Sequence, residues 1–421
     1  MRLRQRVRPL WTRLLVLAAV VGPGIITANV DNDAGGITTY SVAGARYGYG
    51  LLWMLVIVTL ALMIVQEMSA RLGIVTGKGL ASLIRESMGV RWAAAILGIL
   101  LIANLANTVS EFAGVAASME IFGVSKYVSV PIAAVAVWLL IVKGNYKWVE
   151  RIFLVASALY LAYVASGFMA NPPWPAVLRQ AVTPSFQFEA GYVTIFITVI
   201  GTTIAPWMQF YQQSSIVDKG LKSSDLPYER IDVIVGCFFT DLVAAFIIIA
   251  CAATLFAHGQ NIQSAEDAAV ALGPLAGRYA TLLFAFGLLN ASVFSAAVLP
   301  LSTAYAVCEG FGWEAAISRN LREAPVFFAV YTALIVLGAS IILLPIKSLI
   351  DTMLASQTFN GVLLPVILLV MLKLINDKRL MGRFVNGRVA NLLTWIMVIV
   401  LIALTVILVI TSVFPGLLGR A

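Results

Sequence analysis

The sequence is poor in charge, histidine and cysteine, and each shortage excludes a class of protein. Only 11% of the 421 residues are charged, against an average of about 25% in soluble domains. The single histidine, His258, rules out an HExxH zinc site, a Cys/His cluster and a Ser/His catalytic pair. The three cysteines have no paired spacing, which is typical of small buried side chains. We therefore expect neither a soluble protein nor an enzyme, and no cofactor.

Apolar residues take the place of the missing charge. They make up 61% of the sequence, and the mean hydropathy is +0.96. A helix crosses a bilayer with about 20 residues, so long apolar runs predict transmembrane helices. Eleven such runs lie at about 14–46, 51–73, 92–123, 128–142, 152–171, 191–217, 231–257, 279–307, 325–346, 348–372 and 390–413. We predict an all-α polytopic membrane protein with about eleven transmembrane helices and no soluble domain.

The basic residues are distributed unevenly between the two ends of these runs. Of the 28 Lys and Arg residues, 22 lie in the N-terminal arm and in the loops that follow the even-numbered runs. The positive-inside rule therefore places the N-terminus in the cytoplasm and the C-terminus on the outer side of the cell membrane. A secretory signal peptide is the alternative for residues 1–30, but the first apolar run is too long for one. The net charge of +8 thus reflects topology, so we expect the bilayer as a partner, no nucleic acid and no required oligomer.

The first apolar run is longer than one transmembrane helix and has a polar interior. Its middle contains Asp31, Asp33 and the pair Gly35 and Gly36, which are poor helix formers and costly in lipid. We predict a helix that stops near Val30 and restarts near residue 37. Unwound backbone at membrane depth is tolerated only against protein or a water-filled cavity, so the break predicts a polar site.

The sixth run is interrupted as well, by Pro206. An ordinary proline kink is the alternative explanation. The two breaks lie in the first helices of two blocks of five, at about 14–171 and 191–372, with an extra helix at about 390–413. Because five is odd, the second block is inverted, and paired breaks in inverted halves indicate a transporter's substrate site. The half-helices before the breaks would present carbonyl ends there, which favours a cation.

Several segments resemble the Nramp family of divalent-metal transporters. They are Gly22-Pro23-Gly24, Ala43-Gly44-Ala45-Arg46-Tyr47-Gly48-Tyr49, Leu51-Leu52-Trp53, Ala70-Arg71-Leu72-Gly73-Ile74-Val75-Thr76-Gly77 and Glu229-Arg230-Ile231-Asp232. The resemblance extends from the first helix through at least the eighth. It implies a LeuT-like fold with a 5+5 inverted repeat, transport by alternating access, and a metal site at the two broken helices.

The sequence departs from the family at the positions that would bind the metal. The family's Asp-Pro-Gly-Asn is Asp33-Ala34-Gly35-Gly36 here, so the resemblance keeps the carboxylate ligand at Asp33 and loses an amide at Gly36. The family's Met-Pro-His-Asn is Ala205-Pro206-Trp207-Met208, which replaces a thioether by Ala205. A second family histidine aligns with Gln212, and an acidic residue of the third helix aligns with Thr108. These departures resemble the Nramp-related magnesium transporters.

The departures lead to an expected substrate and mode of transport. Without the soft thioether, an oxygen-rich and wider site favours magnesium, partly hydrated, with manganese tolerated. The loss of titratable residues predicts uniport, since two charges gain about 4.6 kcal/mol at 100 mV. The alternative within the family is a proton-coupled manganese or iron transporter. A cation-coupled carrier of an organic solute such as an amino acid is a further alternative, although Asp31 and Asp33 would repel a substrate carboxylate.

The remaining polar residues of the spans complete the predicted site. The predicted metal positions are Asp33, Asp31, Gly36, Thr203 with its neighbour Thr202, Ala205, Gln357 and Asn360. Asp241, Glu111, Trp207 and Asp232 are assigned to a gate or to the surroundings of the ion. Each has a plainer alternative: a hydrogen-bonded buried acid for Asp241, an ion pair with Arg46 or Lys126 for Glu111, packing for Trp207, and a loop ion pair for Asp232. Glu111 also belongs to a polar stripe with Asn104 and Asn107 on the third helix.

Overall fold

A computed structural model describes residues 30–143, 157–315 and 321–413, and the regular elements in these ranges are helices. The α-helices are α1 Ala34–Tyr47, α2 Leu52–Thr76, α3 Leu80–Met88, α4 Val90–Ile121, α5 Lys126–Val142, α6 Leu161–Met169, α7 Trp174–Val182, α8 Ala190–Thr203, α9 Pro206–Asp218, α10 Leu226–Thr254, α11 Ala265–Ala269, α12 Gly273–Ala276, α13 Ala280–Phe311, α14 Pro325–Leu343, α15 Leu349–Ile375, α16 Lys378–Met381 and α17 Arg388–Val413. The predicted half-helix at about 14–30 lies almost wholly outside the described residues.

The described helices follow the predicted apolar runs in order. Eight helical stretches among the described residues are long and apolar enough to cross a membrane, and two shorter apolar helices cover 126–142 and 158–169. Helices suit this composition because each satisfies its own backbone hydrogen bonds where the bilayer offers no water. The orientation of the termini and the division into repeats at about 14–171 and 191–372 stay predictions.

The break in the first run is present and is closed by a side-chain cap. Val30 and Asp31 end one helical segment, and α1 begins at Ala34. The side chain of Asp33 accepts a hydrogen bond from the Gly36 backbone N–H at 2.6 Å, which satisfies one of the free donors of the first turn. The helix therefore restarts three residues earlier than we predicted, because Asp33 caps it and both glycines fit within its first turn.

The break in the sixth run separates α8 from α9. Helix α8 ends at Thr203, and α9 begins at Pro206. Proline is well suited to the first position of a helix, because its missing N–H would have no partner there and its φ is already helical. The predicted interruption is confirmed, and it is a complete break rather than a kink within a continuous helix.

The two broken helices lie at the centre of the bundle. In the most apolar stretch of the sixth span, 94% of the residues are buried. The corresponding share in α17 is 22%, so α17 lies at the periphery. Helix α8 packs closely on α15, where a Cβ atom on Gly201 would lie 2.8 Å from the Cα atom of Gly361. Helices α4, α10 and α15 pack around α1 and so bring their polar side chains to the first break.

Candidate metal site

Asp33 is the carboxylate at the centre of the first break. The residue is 4% exposed, and its two oxygens have different partners. One oxygen caps α1 through Gly36, and the other accepts a hydrogen bond from Gln357 Nε2 at 3.5 Å. The second of these contacts is long and weak, so this oxygen keeps the capacity to bind a cation. Asp33 therefore lies within the predicted break, between the helical residues 30 and 31 and the start of α1.

A chain of amide side chains leads from Asp33 across α15 to α4. Asn360 Nδ2 donates to Gln357 Oε1 at 2.9 Å. Asn360 and Asn107 exchange a pair of hydrogen bonds at 3.1 and 2.9 Å. The structure thus gives the register of α15, with Gln357 next to Asp33 and Asn360 one step further away. Asn107 was not among the predicted site residues, although the polar stripe on the third helix pointed to it.

Glu111 contacts the first break rather than a basic residue. Its Oε2 atom accepts a hydrogen bond from the backbone N–H of Ala34 at 3.3 Å, and its other oxygen has no partner among the described residues. The predicted ion pair of Glu111 with Arg46 or Lys126 is wrong, because none of the salt bridges among the described residues includes Glu111. Lys126 Nζ instead donates to the carbonyl oxygen of Ile342 at 3.0 Å. Of the polar stripe on α4, Glu111 contacts α1, whereas Asn104 donates to Thr303 of α13 and Asn107 bonds to Asn360 of α15.

The expected widening of the site at Gly36 is wrong. A Cβ atom on Gly36 would lie 2.6 Å from the carbonyl oxygen of Asp31 and 3.3 Å from Thr202 Oγ1. The backbone of Asp31 and the Thr202 hydroxyl fill the space that a side chain would need. Glycine at this position therefore permits a close approach of the two breaks, instead of opening a cavity.

The two threonines at the end of α8 have different surroundings. Thr203 Oγ1 bonds to the Tyr40 hydroxyl at 2.8 Å and donates to the Val199 carbonyl at 2.8 Å. Thr202 Oγ1 has no partner among the described residues, and it lies next to Gly36. Thr202, rather than Thr203, thus presents a free hydroxyl oxygen to the first break.

The second break contributes no ligating side chain. Ala205 carries a methyl group and is 2% exposed. The Trp207 ring is buried and tilts against Tyr211 with ring centroids 6.2 Å apart, as expected for packing. Backbone atoms of residues 204 and 205 are what this break can offer an ion.

Asp31 and Asp241 are two further carboxylates beside the first break. Asn32 Nδ2 donates to Thr240 Oγ1 at 2.7 Å, which ties the break to α10 next to Asp241. Each aspartate is 3% exposed, and none of their four oxygens accepts a hydrogen bond from the described residues. Asp241 thus lies on α10 beside the first break, and its role there stays a prediction.

Asp232 lies away from this site. It precedes Asp241 by nine residues on α10, which is roughly 13 Å along the helix axis. Two residues before Asp232, Arg230 pairs with Glu67 of α2 at 2.8 Å, so this ion pair is formed by Arg230 and Glu67 on two helices rather than by Asp232 and a loop. Among the described residues, no group of three His, Cys, Asp or Glu side chains is close enough to hold a metal ion. A bound ion would therefore need carbonyl, amide or water oxygens in addition to carboxylates.

The sequence is similar to a known family and to named proteins. The family model described as natural resistance-associated macrophage protein-like matches residues 24–411. The divalent metal cation transporter MntH of Ralstonia nicotianae is 30% identical, over 92% of this chain and 89% of its own length. The protein of the same description from Bacillus subtilis is 25% identical, over 94% and 93% of the two chains.

Two solved structures show the same architecture. A manganese transporter of Eremococcus coleocola aligns with a TM-score of 0.77 at 22% identity, covering 98% of this chain and 90% of that one. Mhp1, a nucleobase-cation-symport-1 family transporter, aligns with a TM-score of 0.58 at 14% identity, covering 94% of each chain. At these identities the likeness concerns the fold alone. The predicted all-helical, LeuT-like fold with interrupted first and sixth helices is confirmed.

Proposed function

The chain belongs to the Nramp family, and from this membership we propose that it carries divalent metal cations across a membrane. The observation that carries the proposal is the buried Asp33 carboxylate, held between two half-helices at a depth where charge is costly. A transported cation would compensate that charge. The relatives are described as transporters, which agrees with the expected absence of enzymatic activity. The plasma membrane, with the N-terminus inside, is part of this proposal.

We propose manganese as the principal ion, with weak discrimination against magnesium. The named relatives are divalent metal cation transporters and a manganese transporter, and none of these descriptions supports the magnesium expectation. The site offers the Asp33 carboxylate, the Thr202 hydroxyl and backbone carbonyls, which are oxygen ligands that suit both manganese and magnesium. Gln357 would present its amide oxygen to the ion after its hydrogen bond with Asn360 reverses.

The mode of transport has two candidates, uniport and proton coupling. Glu111 favours proton coupling over uniport, because this buried carboxyl group touches the residue after Asp33 and can carry a proton. Thr108 replaces an acid of the family, but Glu111 still places a carboxyl group beside the first break. The hydroxyl of Thr108 is itself occupied by the Asn104 carbonyl at 2.7 Å.

Flux measurements test both parts of the proposal. The full-length protein is reconstituted in liposomes, and manganese entry and internal pH are followed together under a clamped membrane potential. We expect manganese entry that external magnesium inhibits, with acidification of the interior in step with the metal. Absence of manganese entry would overturn the metal proposal. Metal entry without acidification would instead support uniport, and protein-free liposomes are the control.

A further inference from the structure

Asp31 and Asp241 are buried acids that the Asp33 site does not use. They come from different parts of the chain, the end of the helical segment before the first break and the middle of α10. Asn32, which follows Asp31, donates to the hydroxyl of Thr240, which precedes Asp241, at 2.7 Å, and this contact brings the two acids to the same side of the break. The pair therefore forms a defined position on the α10 side of the break, adjacent to Asp33 but separate from its partners Gly36 and Gln357.

The oxygens at this position lack partners. Asp31 and Asp241 are each 3% exposed, and no described residue donates a hydrogen bond to any of their four carboxylate oxygens. The side-chain oxygen of Asn32 is buried and unpartnered too, while its nitrogen is held by Thr240. Burial of unpaired charge and unsatisfied oxygen is costly, so an arrangement of this kind indicates a ligand that supplies positive charge.

The charge at the break is sufficient for two divalent ions. Asp31, Asp33 and Asp241 can each carry a negative charge, and the described residues form no salt bridge with any of them. One divalent ion at Asp33 would leave the charges of Asp31 and Asp241 without a direct partner. A second divalent ion between these two carboxylates would compensate them, and two-metal sites are a known arrangement in proteins.

We propose that Asp31 and Asp241 form a second binding position for a divalent cation, next to that of Asp33. This inference rests on the proposed function in so far as the ion is of the same class as the one carried. The two carboxylates and the Asn32 side-chain oxygen supply the protein ligands, and water completes the coordination, as hard divalent cations permit. The ion can then pass between two sets of carboxylates without regaining its full hydration shell.

Manganese binding to the purified full-length protein tests the second position. The number of ions bound per chain is measured from the loss of the electron paramagnetic resonance signal of free manganese. We expect two ions per wild-type chain at saturation, one for Asp241→Asn and one for Asp31→Asn. Glu229→Gln is the matched control, because Glu229 is another buried acid of α10 whose oxygens accept no hydrogen bond among the described residues. It should still bind two ions.

The outcomes separate this inference from the proposed function. One ion per wild-type chain, or an unchanged count in a folded Asp241→Asn protein, would overturn the second position, even if manganese still enters liposomes. Two ions without any flux would overturn the proposed function and leave the second position standing. Asp31→Asn removes the other carboxylate, so it serves if Asp241→Asn fails to fold, and melting temperatures identify such a failure.

Discussion

Two charged regions of this protein differ in whether their acids have basic partners. In the first, Glu67 binds Arg71 at 3.0 Å and Arg230 at 2.8 Å. Arg71 also donates to the carbonyl oxygen of Phe384 at 2.9 Å and to the side chain of Asn386. We call Glu67, Arg71 and Arg230 the paired cluster. Each charge in it has an opposite charge in contact, because the two arginines share the Glu67 carboxylate.

The second region is the first break, where acids have no basic partner among the described residues. Asp31, Asp33, Asp241 and Glu111 constitute what we call the break cluster, and all four are buried. Paired charges can be kept in place by their partners, whereas unpaired buried charges raise the free energy of the folded chain unless a ligand compensates them. The difference supports our proposal that the break cluster binds the ion, and it predicts that the paired cluster contributes to stability instead.

Exchanging one acid in each region gives the largest expected effects. Asp33→Asn should reduce metal entry into liposomes to background, because the ion loses its central carboxylate, and it should not lower the melting temperature. Glu67→Gln should leave metal entry near the wild-type rate. It should lower the free energy of unfolding by about 1–3 kcal/mol, because the largely buried Arg71 loses its charged partner.

The contrast between the two clusters fails if Asp33→Asn and Glu67→Gln do not differ in metal entry and in stability. An unfolded Asp33→Asn protein would mean that the break cluster holds the fold together, and transport loss in a stable Glu67→Gln protein would place the paired cluster on the transport path. The control for both variants is the size-exclusion profile of the purified protein, which detects aggregation independently of flux.

A smaller effect is expected at the amide that touches Asp33. Gln357→Leu removes the long contact with Asp33, the hydrogen bond with Asn360 and the amide oxygen that we propose for the ion. Loss of a group that supports a metal ligand typically costs about 10–100-fold in metal affinity, and we expect a rise of that size in the apparent KM for manganese. Thr358→Val is the matched control, because Thr358 bonds to Thr198 on the other side of the helix. Equal KM values for the two variants would remove Gln357 from the site.

The span map and both breaks could be predicted from the sequence because they depend on local properties. The length of an apolar run, a proline and a group of acids are visible within a few residues, and they located Asp33 and Pro206. The contact between Asp33 and Gln357 joins residues 324 positions apart, so its register could not be read from either segment. The pairing of Asp31 with Asp241 depends on the same kind of distant packing.

The Gly36 prediction was wrong for a related reason. The resemblance to the family showed which side chain is missing, and we took the missing volume as empty space. The structure fills that volume with the backbone of Asp31 and the hydroxyl of Thr202, through the approach of α1 and α8. A substitution list describes atoms that are lost, whereas the shape of the site depends on how the backbone occupies their place.

Ala205→Met should have the smallest effect, and it compares the two breaks directly. A thioether is a soft ligand that favours cadmium over hard cations, and the second break at present offers backbone atoms only. We expect cadmium to compete a few-fold better against manganese entry, with little change in manganese entry alone. Ala205→Leu supplies similar bulk without sulfur, so a change shared by both variants reflects crowding of the buried Ala205 position. An unchanged cadmium preference in a folded Ala205→Met protein would mean that the second break does not face the ion, and the ion would then be held by the first break alone.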